Sequence, residues 1–368
     1  MTRRLISTTA LGAFALASSS CLKSDSTTTI NGDGSGRFSM TMEMNIAGLM
    51  GMMGAAGGGA APAELPKAPE PKDMLVDMMR SMNSTVDVWT EASAETTKMG
   101  ATRIKVSGLT KDWTAMGNLS SALDTAGMGD TPVPVPTDFL KDIKTMTVTK
   151  DSGGNTVITM MGLDAVAAIF EGMRSQMVKD GSAPEPDSFS ISADEIEGQM
   201  AVVREQYNSM KGVVALMLKD MKLESTITTG GTIVEAAGFT KSEDGKSATW
   251  TMNGEQVMDM LNAIMNDEEM PGKAAELVKS VMNNFSNGES TAAVRKFAAP
   301  FFEKLFNGSP NPRLVIKGDG NAFDYAAEVE KAKAAQTPEL KALVEKASRK
   351  NSVKLPGSTT EEASSEEK

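Results

Sequence analysis

From Phe38 onward the chain alternates. Phe38, Met40, Met42, Met44 and Ile46 are apolar, and Ser39, Thr41, Glu43 and Asn45 between them are polar. One apolar side chain in every two residues puts all five on the same side of a strand, so this segment reads as a half-buried strand. The β-branched run at 26–30 precedes it, with Asn31, Gly32, Asp33, Gly34, Ser35 and Gly36 in between, and the two strands are predicted to form a hairpin. A second hairpin is predicted for 143–149 with 156–161, turning through Asp151, Ser152, Gly153, Gly154 and Asn155. Further strands are expected near 85–92 and 101–107. A β section is expected over 223–252, with turns at Gly230 and Gly231 and at Glu243, Asp244 and Gly245.

Elsewhere the period lengthens to that of a helix. Met74, Leu75, Met78, Met79 and Met82 share one helical face, and Asp73 and Asp77 sit in the early turns, where the helix dipole favours a carboxylate. Helices are also predicted over 111–123, 163–179, 193–219, 254–266, 272–285 and 291–305, with one late strand at 313–317. Asn321 is predicted to cap one further helix, supported by Asp324 three residues on. Residues 47–71, rich in Gly, Ala, Met and Pro, follow no period and read as a mobile linker. The tail 349–368 is mostly Ser, Thr, Glu and Lys and is expected to be disordered. The fold class is therefore α+β: a mainly antiparallel sheet of hairpins packed by helices over 26–253, then a mostly helical region over 254–348.

The first 20 residues have a different character. Arg3 and Arg4 precede thirteen small, hydroxyl or apolar residues at 5–17, then Ser18, Ser19 and Ser20 lead into Cys21. Thirteen residues are too few to span about 30 Å of hydrocarbon as a helix, so 1–20 reads as a cleaved signal peptide. Its order resembles the bacterial lipoprotein signal, which implies acylation of the Cys21 thiol, a lipid-anchored N-terminus at 21–25 and attachment to a membrane without spanning it. Ser18 departs from that pattern, where Leu is usual three residues before the cysteine. The alternative is an ordinary secreted chain with Cys21 as a free thiol. Thr2, Arg3, Arg4, Leu5 and Ile6 also partly match a twin-arginine export signal, leaving both export routes open.

Two segments carry a family resemblance. Cys21 followed by Thr27, Thr28, Thr29, Ile30 and then Asp33, Gly34, Ser35, Gly36 is similar to the start of the LppM-like bacterial lipoproteins. Gly231 to Val234, Asp244-Gly245-Lys246 and Ala248 to Met252, which contains Trp250, resemble the pattern near that domain's end. Gly231 stands where a Pro-Gly pair is commoner, and the region after 254 has no counterpart there. The resemblance implies an α+β envelope lipoprotein domain and brings no catalytic residues.

Composition narrows the chemistry. The 37 basic residues less Arg3 and Arg4, against 48 acidic ones, leave a charge of −13 after signal removal, which disfavours nucleic acid as a partner. There is no histidine, and Cys21 is the sole cysteine, so histidine-based triads and His-ligated metal sites are excluded. Asn31, Asp33, Ser35 and Gly36 occupy calcium-loop positions, but the twelfth position is Met42 and Glu43 falls one residue late, which favours a turn. Gly245-Lys246-Ser247 has no glycine at phosphate-loop spacing upstream and reads as a turn between strands. The S-x-x-K at Ser365 to Lys368 lies in the tail. Among 29 methionines, Met40, Met42 and Met44 share a strand face where Cu(I) could bind; core spacing favours packing, or an adaptable apolar surface. Asp194 and Glu195, and Asp267, Glu268 and Glu269, read as solvated helix faces or caps. The expectation is an exported, lipid-anchored envelope protein without catalytic, metal or cofactor residues. It would bind an amphiphile or another envelope component through its α+β domain, or serve a structural role, and an apolar, methionine-lined groove would favour the carrier. The alternative is an envelope hydrolase using carboxylates or a Ser/Lys pair.

Overall fold

The computed structural model describes residues 23–45, 70–98, 100–116, 146–179, 193–283, 290–318 and 320–349. In chain order these form β1 (Lys23–Ile30), β2 (Gly36–Met44), α1 (Pro71–Met82), β3 (Val88–Thr96), β4 (Thr102–Thr110), a short α2 (Trp113–Met116), β5 (Met146–Lys150), β6 (Thr156–Met160), α3 (Leu163–Lys179) and α4 (Ala193–Leu218). Then come β7 (Lys222–Thr229), β8 (Thr232–Ala237), β9 (Thr240–Lys241), β10 (Ser247–Asn253), α5 (Gly254–Met265), α6 (Met270–Asn283), α7 (Ser290–Leu305), β11 (Arg313–Lys317), α8 (Tyr325–Ala335) and α9 (Pro338–Ser348). The signal peptide with Cys21, most of the expected linker and nearly all of the expected tail lie outside the described residues.

The α+β class holds, and its sheet carries one feature beyond the hairpins. β1 and β2 pair antiparallel from Lys23 opposite Glu43 to Ile30 opposite Gly36. On its other side β1 runs parallel to β7, Lys23 beside Lys222 and Ile30 beside Thr229. The large sheet is therefore mixed, in the order β3-β4-β2-β1-β7-β10-β9, and a second, wholly antiparallel sheet runs β5-β6-β11-β8. The turn at Gly230 and Gly231 does not make β7 and β8 a hairpin, because the two strands belong to different sheets.

The register assigns the faces of the large sheet. Phe38, Met40 and Met44 lie on the inner face with their neighbours Val106 and Ile104, and α1 and α9 cover this half through Leu75, Met79 and Leu340. Met74, Met78 and Met82 border the same core, so these methionines act as packing residues. Over the β1, β7 and β10 half lies the second sheet, whose Ile158, Ile233, Leu314 and Ile316 meet Ile30 and Ile227. Burying each such side chain contributes roughly 1.5–3 kcal/mol. α3 to α7 pack together, with Tyr207, Leu218, Val257 and Leu261 in a third core that reaches the sheet through Leu223 and Met252. Contacts cross residue 253 in several places: β11 lies between β6 and β8, and α9 packs on α1.

The first sheet's edge pair lies later than expected: β3 runs over Val88–Thr96, starting three residues after 85 and ending four after 92, and β4 runs over Thr102–Thr110, starting one residue after 101 and ending three after 107. The last-helix cap also differs. Helix α8 begins at Tyr325, so Asp324 is its N-cap and accepts from Ala327 N–H at 3.1 Å. Asn321 is too far upstream to reach the first turn, and its Oδ1 accepts from Gly32 N–H at 3.2 Å. After α8 the chain makes a second helix, α9, started by Thr337, whose Oγ1 accepts from Leu340 N–H, and by Pro338 in the first turn.

Candidate functional site

The outer face of the large sheet is set by the residues that alternate with the core. Reading across β1, β2 and β4, the rows are Thr29, Arg37 and Leu109; Thr27, Ser39 and Ser107; Asp25, Thr41 and Lys105; Lys23, Glu43 and Arg103. The rows nearest Lys23 are charged, and their Arg103 and Lys105 are paired with carboxylates of β2 and β3. Arg103 meets Glu43 at 3.0 Å and Glu95 at 2.9 Å, and Lys105 meets Glu91 at 2.9 Å. The two rows farthest from Lys23 carry hydroxyls, one arginine and one leucine.

Over those two rows lies α8. Glu328, Lys331, Ala332 and Ala335 have the spacing of one helical face, and together with the sheet they enclose a half-open groove of about 450 Å³. That volume falls within the range of small-molecule sites. Thr27, Thr29, Ser39, Ser107 and Thr90 supply hydroxyls to its wall, and Leu109, Ala332 and Ala335 supply apolar surface. The expected methionine lining is not found here, because the strand methionines face the opposite side of the sheet.

No residue of α8 is buried, and polar contacts at its two ends fix it in place. Tyr325 donates its hydroxyl to Asp87 Oδ2 at 2.6 Å, and Gln336 Nε2 donates to the Trp89 carbonyl on edge strand β3 at 2.9 Å. Burial, then the bond to Asp87, pushes the Tyr325 hydroxyl well above its ordinary range, so it stays a neutral donor. Ahead of α8, Ala322 and Phe323 are tied to Asn31 in the β1–β2 turn. Phe323 lies under the Arg37 guanidinium, 5.2 Å from ring centroid to Cζ.

Within the groove, Lys331 stands 3.6 Å from Glu328 on the same helix, and Ser107 donates to Ser39 at 3.0 Å. Arg37 donates Nε to Thr29 Oγ1 at 3.4 Å and makes no ion pair with a described residue. The carboxylates whose pKa departs from the ordinary range are elsewhere, and each is lowered by a partner. The strongest case is Glu171, held at about 2 chiefly by hydrogen bonding from Arg174.

The sequence motifs resolve into turns and caps. Asp33 accepts from Ser35 N–H at 2.9 Å and from Ser35 Oγ at 2.6 Å, while Glu43 is drawn to Arg103 across the sheet. Lys246 Nζ donates to the carbonyls of Gly230 and Gly231, and Asp244 accepts from Ser242 and from Lys246 N–H in the β9–β10 turn. Asp194 and Glu195 lie in the first turn of α4, and Asp267 accepts from Glu269 N–H and pairs with Lys273. Among the described residues no group of three or more acidic side chains is arranged to hold a metal ion, and no helix is long and apolar enough to cross a membrane. Arg37 and the Thr/Ser rows escape sequence reasoning because they look like any solvent side of a strand; only α8, some 290 residues further on, turns them into a wall. No protein-family model, curated protein or solved structure matches this chain.

Proposed function

We propose that the chain is a lipid-anchored, non-enzymatic protein of a bacterial cell envelope that binds an amphiphile in the groove beneath α8. The observation that carries this reading is the groove's composition and place. It joins apolar surface from Leu109, Ala332 and Ala335 to hydroxyls and a cation, the two kinds of contact an amphiphile needs. Its wall includes Thr27 and Thr29 of β1, the strand that begins two residues after Cys21. Eight residues of extended chain reach roughly 26 Å, so acylation at Cys21 would hold the groove within that distance of a bilayer surface.

The test uses the full chain extracted from its own membranes. Native mass spectrometry should show an added lipid-sized mass that is lost in Ala332→Trp, whose indole would fill the groove from an α8 position that is only partly buried. Thermal melting of the variant should be nearly unchanged. Cys21→Ser should move the protein out of the membrane fraction. A wild-type protein carrying no dissociable lipid mass beyond any covalent acylation would overturn the groove reading, and membrane retention of the Cys21→Ser protein would overturn the anchor.

A further inference from the structure

The groove contains a cation that no described carboxylate neutralises. Among the described arginines, Arg80, Arg103, Arg174, Arg295, Arg313 and Arg349 each pair with a carboxylate. Arg204 donates to the Asp267 carbonyl. Arg37 does neither. Its Nε donates to Thr29 Oγ1 at 3.4 Å and its Cζ stands over the Phe323 ring, 5.2 Å from the centroid, which leaves the two Nη groups as a fork with no described partner. In a chain of net charge −11, an exposed arginine placed beside a hydroxyl and a ring, with no counter-ion among the described residues, adds little to stability. It is a good anion receptor, because the fork matches two oxygens of a phosphate or carboxylate.

We infer that the amphiphile bound in the groove carries an anionic oxygen headgroup and that Arg37 reads it, an inference resting on the groove reading above. The Thr27 and Ser39 hydroxyls occupy the row next to Arg37 and Thr29, within the same groove, and supply further donors to such a headgroup. The groove's acidic group, Glu328, stands beside Lys331, so its charge is locally offset. The apolar chain then lies along Leu109, Ala332 and Ala335.

Two probes that differ only in the headgroup isolate this claim: monomyristoylglycerol and its 3-phosphate, each titrated calorimetrically below its micelle concentration into the full chain. The phosphate form should bind about five- to tenfold more tightly, a difference suited to one bidentate contact at an exposed arginine. Arg37→Gln should bring the two affinities together, because it weakens the phosphate form far more than monomyristoylglycerol. Arg37→Lys should keep part of the preference, and all of it should shrink as salt rises. Equal wild-type affinities, or a preference that survives Arg37→Gln, would overturn the headgroup assignment and leave the groove reading standing. Failure of both lipids to bind would overturn the groove reading itself. Full displacement by glycerol 3-phosphate would mean the site takes a soluble phosphate, overturning the lipid as its source.

Discussion

Replacing Asn31 by alanine should both destabilise the protein and loosen α8. Asn31 is 2% exposed, and its amide makes three hydrogen bonds at the end of β1. Nδ2 donates to Ser35 Oγ at 3.0 Å and to the Phe323 carbonyl at 3.1 Å, while Oδ1 accepts from Ala322 N–H at 2.8 Å. Asn31→Ala removes all three and strands two backbone groups of the segment that leads into α8. At about 1 kcal/mol net per bond the expected loss is about 3 kcal/mol, measurable as a lower urea midpoint with an unchanged slope. Hydrogen exchange in α8 should rise by more than in α1, since the tie through 322–323 is cut while the α1 core is untouched. Asn31→Asp adds a sign test. It keeps the acceptor toward Ala322 but turns a carboxylate oxygen toward the Phe323 carbonyl, and burial disfavours the charged form. A pKa raised in the folded state makes this variant most stable below the unfolded value of about 3.9, with stability lost as pH rises through the folded value. A loss under about 1 kcal/mol for Asn31→Ala with no change in α8 exchange would refute the claim that this turn anchors the helix.

Other outcomes follow from local geometry. Glu171, held at about 2, contributes stability that is present above pH 4.5 and disappears as the pH falls toward 2. Its side chain is 39% exposed, so solvent screening limits the contribution to about 1 kcal/mol. The gap in urea midpoint between wild type and Glu171→Gln should therefore close on acidification, and a gap constant from pH 7 to 2 would count against the Arg174 pairing. At Gly254 an added Cβ would lie 1.6 Å from the Leu218 carbonyl oxygen, so Gly254→Ala must shift backbone at the α4–α5 contact and should cost more than about 3 kcal/mol. Gly212 of α4 has open space at the same position, and Gly212→Ala should stabilise by about 0.5–1 kcal/mol through helix propensity. Equal melting shifts for the two glycine variants would contradict both arguments.

What could be read from the chain was whatever a local period expresses. β2 was plain because bulky apolar residues alternate with Ser, Thr and Glu, and α3 and α4 end within a residue of their expected bounds because their periodicity is long. The bounds of β3 are hard to read because its inward positions include Ala92 and Ala94, too small to mark an alternation, while Val86, just ahead of the strand, is buried and looks like part of it. The parallel β1–β7 pairing has no local signature: both strands are Thr- and Ser-rich, and nothing in either names a partner some 200 residues away. The split of β7 and β8 between sheets depends on Gly230, where a Cβ would fall 2.0 Å from the Asn321 carbonyl oxygen. That close approach belongs to the tertiary fold and not to the turn. The groove is illegible for the same reason, since its wall and its roof come from opposite ends of the chain.

The position of β1 has a mechanical consequence. It is hydrogen-bonded along its full length on both sides, antiparallel to β2 and parallel to β7. A pull on the chain ahead of Lys23 acts along the strand, at right angles to the β2 ladder bonds and at a slant to those of β7. Both ladders are then sheared together, whereas an edge strand pulled sideways would unzip one bond at a time. A chain tethered at Cys21 would thus transmit drag from its surroundings into the shear direction of its largest sheet, where both ladders resist together.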